Sequence, residues 1–188
     1  MARASSILST AEARRTTVVA AAVTEFSRTG YLGTPISAVA ERAQISPAYV
    51  FKLFPSKETL FVAALERCFE RITETLLQGA DQATTQSPGD VLYAMGGAYA
   101  ELIADRELLM LQVHAQSASD EPAIRAALRR GLAEITTLAS GRSRASDVEV
   151  QRFIAIGQLC HLIVTTGIET SDDAWAILLT DGIRHPTH

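Results

Sequence analysis

The sequence predicts an all-α protein of about nine helices, an N-terminal three-helix unit built round a helix-turn-helix and a larger C-terminal helical body. Three observations carry that reading. Apolar residues recur at helical spacing almost throughout, and no stretch reads convincingly as a strand. The six prolines fall near inferred helix ends or in the tail. Ser9 with Glu12, and Ser146 with Glu149, have the spacing of capping boxes. At 188 residues and 47% apolar, the chain has ample material for a core and is not of the disordered class.

Residues 1–8 read as a loose arm carrying only Arg3, and the first helix as running from Ser9 to about Thr29, with Gly30 as its stop. Val19, Ala22, Val23 and Phe26 give it an apolar face. Arg14 and Arg15 sit in its first turns, where the helix dipole does not favour cations; phosphate contact and a solvated pair are both open. Thr34 is placed to cap a second helix, with Pro35 at its first position and Ile36, Val39, Ala40 and Ala43 as its stripe. Gln44 and Ile45 break the run. Ser46-Pro47 then opens a third helix through Phe54, and Ser56 caps a fourth that begins at Lys57. Two helices joined by so short a turn form a helix-turn-helix, whose second member can lie in a DNA major groove.

The fourth helix should reach about Gln78, burying Leu60, Phe61, Ala64, Leu65, Cys68, Phe69, Ile72 and Leu76. Residues 79–88 are small and polar, a loop. Ser87-Pro88 starts a fifth helix, apolar nearly all round, with Gly96-Gly97 at its middle; that pair costs roughly 1 kcal/mol per residue and implies close packing or space beside the helix. A sixth helix covers about Glu107 to Gln116, and Asp120 with Pro122 opens a seventh that reaches about Ala139. Gly141 to Ala145 reads as a loop, and the eighth helix runs from Ser146 to about Ile168. Ser171 caps a short last helix, Asp172 to Ile183. The domains expected are 9–60, which carries the helix-turn-helix, and 61–188, the larger helical body.

Charge divides unevenly. Residues 1–60 carry seven Lys/Arg against four Asp/Glu, whereas 61–188 carry ten against seventeen. A basic head on an acidic body suits a protein that offers one end to phosphate, although so small an excess is also within ordinary scatter. Cys68 and Cys160 lack CxxC spacing and read as free buried thiols of a reducing cytoplasm. No signal peptide is visible, and the uncharged stretch from Phe153 to Ile168 is shorter than a membrane span, so a cytoplasmic location is expected. His114, Cys160, His161 and His185 are the obvious groups for chemistry, but Cys160 and His161 are adjacent on a helix and point about a hundred degrees apart. No HExxH, Gly-rich phosphate loop or spaced carboxylate pair occurs, so neither an enzyme, a metal nor a cofactor is expected. A metal sensor built from His114, His161 and Cys160 is the weaker reading of those side chains.

Residues 26–61 resemble the tetracycline-repressor (TetR) family of bacterial transcription regulators. The matching residues are Phe26, Gly30-Tyr31, Thr34, Ile36, Val39-Ala40, Ala43, Ile45-Ser46, Phe54, Pro55-Ser56-Lys57-Glu58 and Leu60-Phe61. The resemblance implies a homodimeric repressor on a pseudo-palindromic double-stranded operator, released by a small effector bound in the C-terminal body. Family positions that touch DNA correspond to Thr34, Ser46, Pro47, Ala48, Tyr49, Phe51, Lys52 and Lys57. The sequence departs from the family where a turn glycine is replaced by Gln44 and where hydroxyls usual in the recognition helix are replaced by Phe51 and Leu53.

Residue chemistry assigns roles within that set. Lys52 and Lys57 are the only lysines, and both fall on this unit. Ser46 and Thr34 offer hydroxyls to phosphates, Lys57 a charge to phosphate, Tyr49 and Lys52 donors to base edges. Phe51 is placed either against a sugar or thymine methyl or in a small core with Phe54. The body should hold a cavity lined by Tyr93, Gly96, Tyr99, Met110, His114, Phe153 and His161, taking a largely hydrophobic effector, unless these residues simply fill the core. The eighth and last helices, through Gly157, Val164, Ile168, Trp175, Leu178 and Leu179, should pair with a second copy or else form an internal core. A helical interaction protein that no longer binds DNA is the other function the sequence admits.

Overall fold

In the computed structural model the structure describes residues 2–183, with side chains described from residue 11 onward. Arg3, the Ser9 hydroxyl and His185 therefore lie outside what is described. Among the described residues there are nine α-helices, one short 3-10 turn and no strand. They are α1 (Ala2–Gly33), α2 (Ile36–Arg42), α3 (Pro47–Leu53), α4 (Lys57–Asp81), α5 (Pro88–Ile103), α6 (Arg106–Ser117), α7 (Pro122–Ser143), α8 (Asp147–Thr166) and α9 (Ala174–Thr180), with the 3-10 turn at Ile168–Thr170.

The first helix starts at Ala2, seven residues before the expected Ser9. Ala2, Ala4 and Leu8 are good helix formers, so a capping pattern inside the sequence does not stop the helix from extending upstream. Gly30 does break it: φ 72° and ψ −178° kink the chain before the last few residues. The polar run after Ala139 remains helical to Ser143, and Arg144, at φ 54°, ends the helix in the left-handed region that a glycine more often supplies. Ser171 does not cap α9 directly. Its hydroxyl accepts from the Asp173 N–H at 3.2 Å, a local turn that delays the helix to Ala174. The capping box of Ser146 and Glu149 is present as written in the sequence.

The chain folds as two compact units, Met1–Cys68 with Leu111–Leu128, and Phe69–Met110 with Arg129–His188. In the first, Phe26, Val39, Val50, Phe54, Leu60, Phe61 and Leu65 are buried, and Phe61 receives Phe26 and Tyr31 edge-on at 4.8 and 5.3 Å between ring centres. In the second, Ile103, Leu109, Cys160 and Val164 form a buried cluster joined by Tyr99 and Ile183. Gly131 lets α7 lie on Phe69: a Cβ there would fall 2.3 Å from the ring. No helix among the described residues is long and apolar enough to cross a membrane.

Candidate nucleic-acid interface

The turn between α2 and α3 is closed by three backbone hydrogen bonds. Ala43, Gln44 and Ile45 donate to the carbonyls of Val39, Glu41 and Ala40 at 2.9–3.0 Å. Gln44 adopts φ 55°, the left-handed conformation that a glycine takes without strain. Ser46 then caps α3: its Oγ accepts from the Tyr49 N–H at 3.2 Å, with Pro47 inside the first turn.

Helical spacing divides α3 into two faces. Val50 and the following Phe54 point inward and are nearly inaccessible. Pro47, Ala48, Phe51 and Lys52 are exposed, Tyr49 is half-buried, and Lys52 Nζ lies 6.0 Å from the Tyr49 ring centre. Phe51 is 48% exposed, so of its two placements the core with Phe54 is excluded. The outward face is thus a small apolar surface with one cation and a phenol at its edge.

Four side chains at first sight suited to DNA, Thr34, Arg15, Lys57 and Arg42, make contacts inside the unit. Thr34 is fully buried: its hydroxyl donates to the Gly30 carbonyl at 2.8 Å and lies 2.6 Å from the Thr29 hydroxyl. It clasps the α1 kink and neither caps α2 nor reaches a phosphate; Pro35 is the N-cap residue, without a side-chain bond. Arg15 spans from α1 to the end of α3, donating to the Leu53 carbonyl at 2.5 Å with its guanidinium 4.2 Å from the Phe54 ring centre. It serves neither phosphate nor bulk water first; it anchors the helix that carries Lys52. Only the pairing of a C-terminal carbonyl with a cation could have flagged it in the sequence, and that signal needs the fold. Lys57 donates to the Leu32 carbonyl at 3.2 Å and sits 5.3 Å from the Tyr31 ring centre, and burial lowers its ammonium from the usual lysine range. Arg42 is paired with the mostly buried Glu25 at 2.5 Å. Arg14 and Arg28 remain on the surface.

The residues expected to line an effector cavity do not all meet. Tyr99 Oη lies 2.5 Å from His161 Nε2, and Gly96 and Gly157 face Phe153 and Tyr99 respectively, which brings these side chains together between α5 and α8. Tyr93 instead projects outward at 59% exposure, beside a surface cleft of about 250 Å³ lined also by Gln82, Thr84, Asp90 and Glu101. Met110 is half-buried on α6. His114 belongs to the first unit, where its Nδ1 lies 2.8 Å from where a Gly30 Cβ would stand. Among the described residues no three His, Cys, Asp or Glu side chains group as a metal site.

Of the residues expected to pair two copies, Val164 and Ile168 are buried within the chain itself. They continue the inner stripe of Val150, Phe153, Gly157 and Cys160; a helix apolar on all sides has two eligible faces, and these residues occupy the inner one. The large apolar side chains of α8 and α9 left open are Val148, Ile156, Leu162, Trp175, Ile177 and Leu178, with Leu179 half-buried.

Residues 18–64 match the family described as bacterial regulatory proteins, tetR family. The chain is 42% identical over 59 residues to the HTH-type transcriptional repressor KstR of Rhodococcus jostii (strain RHA1), a match covering 31% of this chain and 28% of that protein. The chain thus matches less than a third of that repressor's length. In fold it is similar to the transcriptional regulator FadR from Bacillus subtilis, solved in complex with stearoyl-CoA, with a TM-score of 0.70 and 14% identity over 89% of this chain and 98% of that one. A TetR-like transcriptional regulator from Rhodococcus sp. RHA1 gives a TM-score of 0.64 and 23% identity over 88% and 91%. The segment matched by the tetR family of bacterial regulatory proteins is the one that holds the strained but intact turn and the capped second helix.

Proposed function

We propose that the protein is a sequence-specific DNA-binding transcriptional regulator, a repressor that leaves its operator when a small, largely hydrophobic effector binds the second unit. The observation that carries the reading is the split of α3: Val50 and Phe54 anchor it, while Pro47, Ala48, Phe51 and Lys52 face outward with nothing of the described chain over them to hide them. Lys52 and Tyr49 are assigned to base edges, Phe51 to a thymine methyl or sugar, and Ser46 and Lys57 to the backbone. The effector reading draws on the seam between α5 and α8, and on the stearoyl-CoA held by a protein of the same fold. Two copies would pair through the open apolar side chains of α8 and α9.

Binding to duplex from its own promoter should weaken steeply as salt rises, because each phosphate contact releases counterions. Lys52→Ala should cost about 1–3 kcal/mol at one base position and relax the preference there, whereas Lys57→Ala should weaken all sequences alike. Equal affinity for promoter and random duplex would favour a second reading. The exposed Phe51, an unusual side chain to leave in water, then becomes a contact for a protein partner.

A further inference from the structure

α3 has only seven residues, Pro47–Leu53, too few for a helix to hold its own place, so its ends help decide where it points. The first end is closed from within the segment, by the Ser46 hydroxyl accepting from the Tyr49 N–H. The second is closed from outside. The last carbonyls of a helix have no partner inside it. Here the Phe54 N–H donates to the Val50 carbonyl at 2.8 Å, while Phe54 itself turns extended at φ −133° and ψ 110°. The Leu53 carbonyl is met by Arg15 Nη1 of α1 at 2.5 Å, from 38 positions away in the chain.

The same guanidinium lies over the Phe54 ring, 4.2 Å from its centre, and Phe54 is 2% exposed. Arg15 therefore grips two consecutive residues, one through the backbone and one through a buried side chain. Each half suits it. A cation complements the negative end of a helix dipole, and a planar, weakly hydrated guanidinium can bond a carbonyl while its face meets an aromatic ring. Val50 and Phe54 hold α3 along one inner stripe, and such apolar contacts fix depth better than tilt. A directed bond at Leu53 fixes the tilt at the end where Phe51 and Lys52 project, one residue of rise (about 1.5 Å) from Lys52. Arg14, next to it in the sequence, is exposed.

We propose that Arg15 is a positioning residue for base readout: from α1 it fixes the end of α3 that carries Lys52, and so sets sequence preference without touching DNA itself. This rests on the operator reading above and assigns part of its specificity to a side chain outside the helix-turn-helix. A misplaced Lys52 still carries its charge, so general attraction to phosphate survives. What is lost is the distance and angle that a hydrogen bond to a base edge needs. The two roles open to an arginine here therefore separate by measurement. A phosphate contact strengthens binding to all sequences and steepens the dependence on salt; a positioning contact does neither.

The test uses the full-length protein with three duplexes of equal length: its own promoter, that promoter changed at the base pair where Lys52→Ala relaxes the preference, and a random sequence. Arg15→Met keeps an unbranched stem and removes the charge and the donor. It should lower discrimination between the first two duplexes by about tenfold, the worth of one base contact, with affinity for the random duplex and the salt slope unchanged. On a Lys52→Ala background the same substitution should cost almost nothing further at that base pair, because no donor is left to misplace. Arg14→Met should leave the preference as it was. A salt slope shallower by about 0.9, with all three duplexes weakened alike, would make Arg15 a phosphate contact and overturn the assignment. Additive losses from Arg15→Met and Lys52→Ala at that base pair, or an unchanged preference, would overturn it too. Circular dichroism checks the fold, and should Arg15→Met not fold, Arg15→Lys decides in its place. It keeps the charge but not the planar group over Phe54, so the preference should still fall at an unchanged salt slope, and a preference equal to the parent's overturns the assignment. A parent that binds promoter and random duplex equally fails the operator reading itself, whereas a parental preference that survives Arg15→Met fails only this assignment.

Discussion

Gln44 occupies the one turn position between α2 and α3 where the backbone is left-handed. A side chain with a Cβ costs about 1–2 kcal/mol in that conformation, less what glycine loses through the greater freedom of its unfolded chain. Gln44→Gly should therefore raise stability by about 1 kcal/mol, and Gln44→Val should lower it by at least as much, both read from urea denaturation midpoints at constant slope. The strain was legible in the sequence, because a helix-turn-helix turn normally has glycine there. His161 makes the complementary case of a residue whose state no sequence pattern displays. Burial lowers its pKa from the ordinary 6.5 to about 4, so between those values the unfolded chain binds the proton and the folded one does not. Stability must then rise with pH across that window: the penalty begins as pH falls below 6.5, grows until about 4, and is constant beneath. Its full size is of the order of 3 kcal/mol. His161→Gln should flatten that part of the pH–stability curve, and a curve unchanged by the substitution would show the imidazole to be protonated in the fold.

At the scale of the helix, close approach is decided by single small residues. Gly131 on α7 faces the Phe69 ring so closely that a methyl group would overlap it, whereas Gly141 on the same helix meets nothing within 4 Å. Gly131→Ala should destabilise by about 1–3 kcal/mol through overpacking, despite the helix propensity gained. Gly141→Ala should stabilise by up to about 1 kcal/mol. Adding Phe69→Leu should recover part of the Gly131→Ala loss, which a double-mutant cycle measures. Local codes of this kind were partly legible. Ser46, Ser87 and Ser146 cap as their neighbours imply, since the bond runs to an N–H two or three residues on. Thr34 has the same local pattern and does something else, because the Gly30 kink brings its carbonyl to both the Thr34 N–H and the Thr34 hydroxyl. The uncharged run of α8 was visible in the sequence, but not which of its sides is the inner one; which apolar face is covered depends on α5, which is distant in sequence.

For the molecule as a whole, the unresolved demand is the apolar surface of α8 and α9. Leu178 is 77% exposed and Trp175 57%, and Ile156, Leu162 and Ile177 are open as well. Single exposed leucines are ordinary; several on two consecutive elements are what the proposed pairing of two copies would cover. A second copy meeting it about a twofold axis would bury the same residues on both sides, the isologous arrangement commonest in soluble oligomers. The pairing would also serve the DNA reading, since operator half-sites lie about 34–36 Å apart and two linked heads engage them at a high effective concentration. Trp175→Asp with Leu178→Asp replaces exposed side chains, so the single chain should keep its melting behaviour while sedimentation shifts from dimer to monomer. Affinity for a two-half-site operator should then fall by about 10²–10⁴-fold, with affinity for an isolated half-site little changed. If the doubly substituted protein sediments as the parent does, these side chains are not what joins the copies. If it sediments as a monomer and still binds the full site as tightly, the two heads do not act together on DNA.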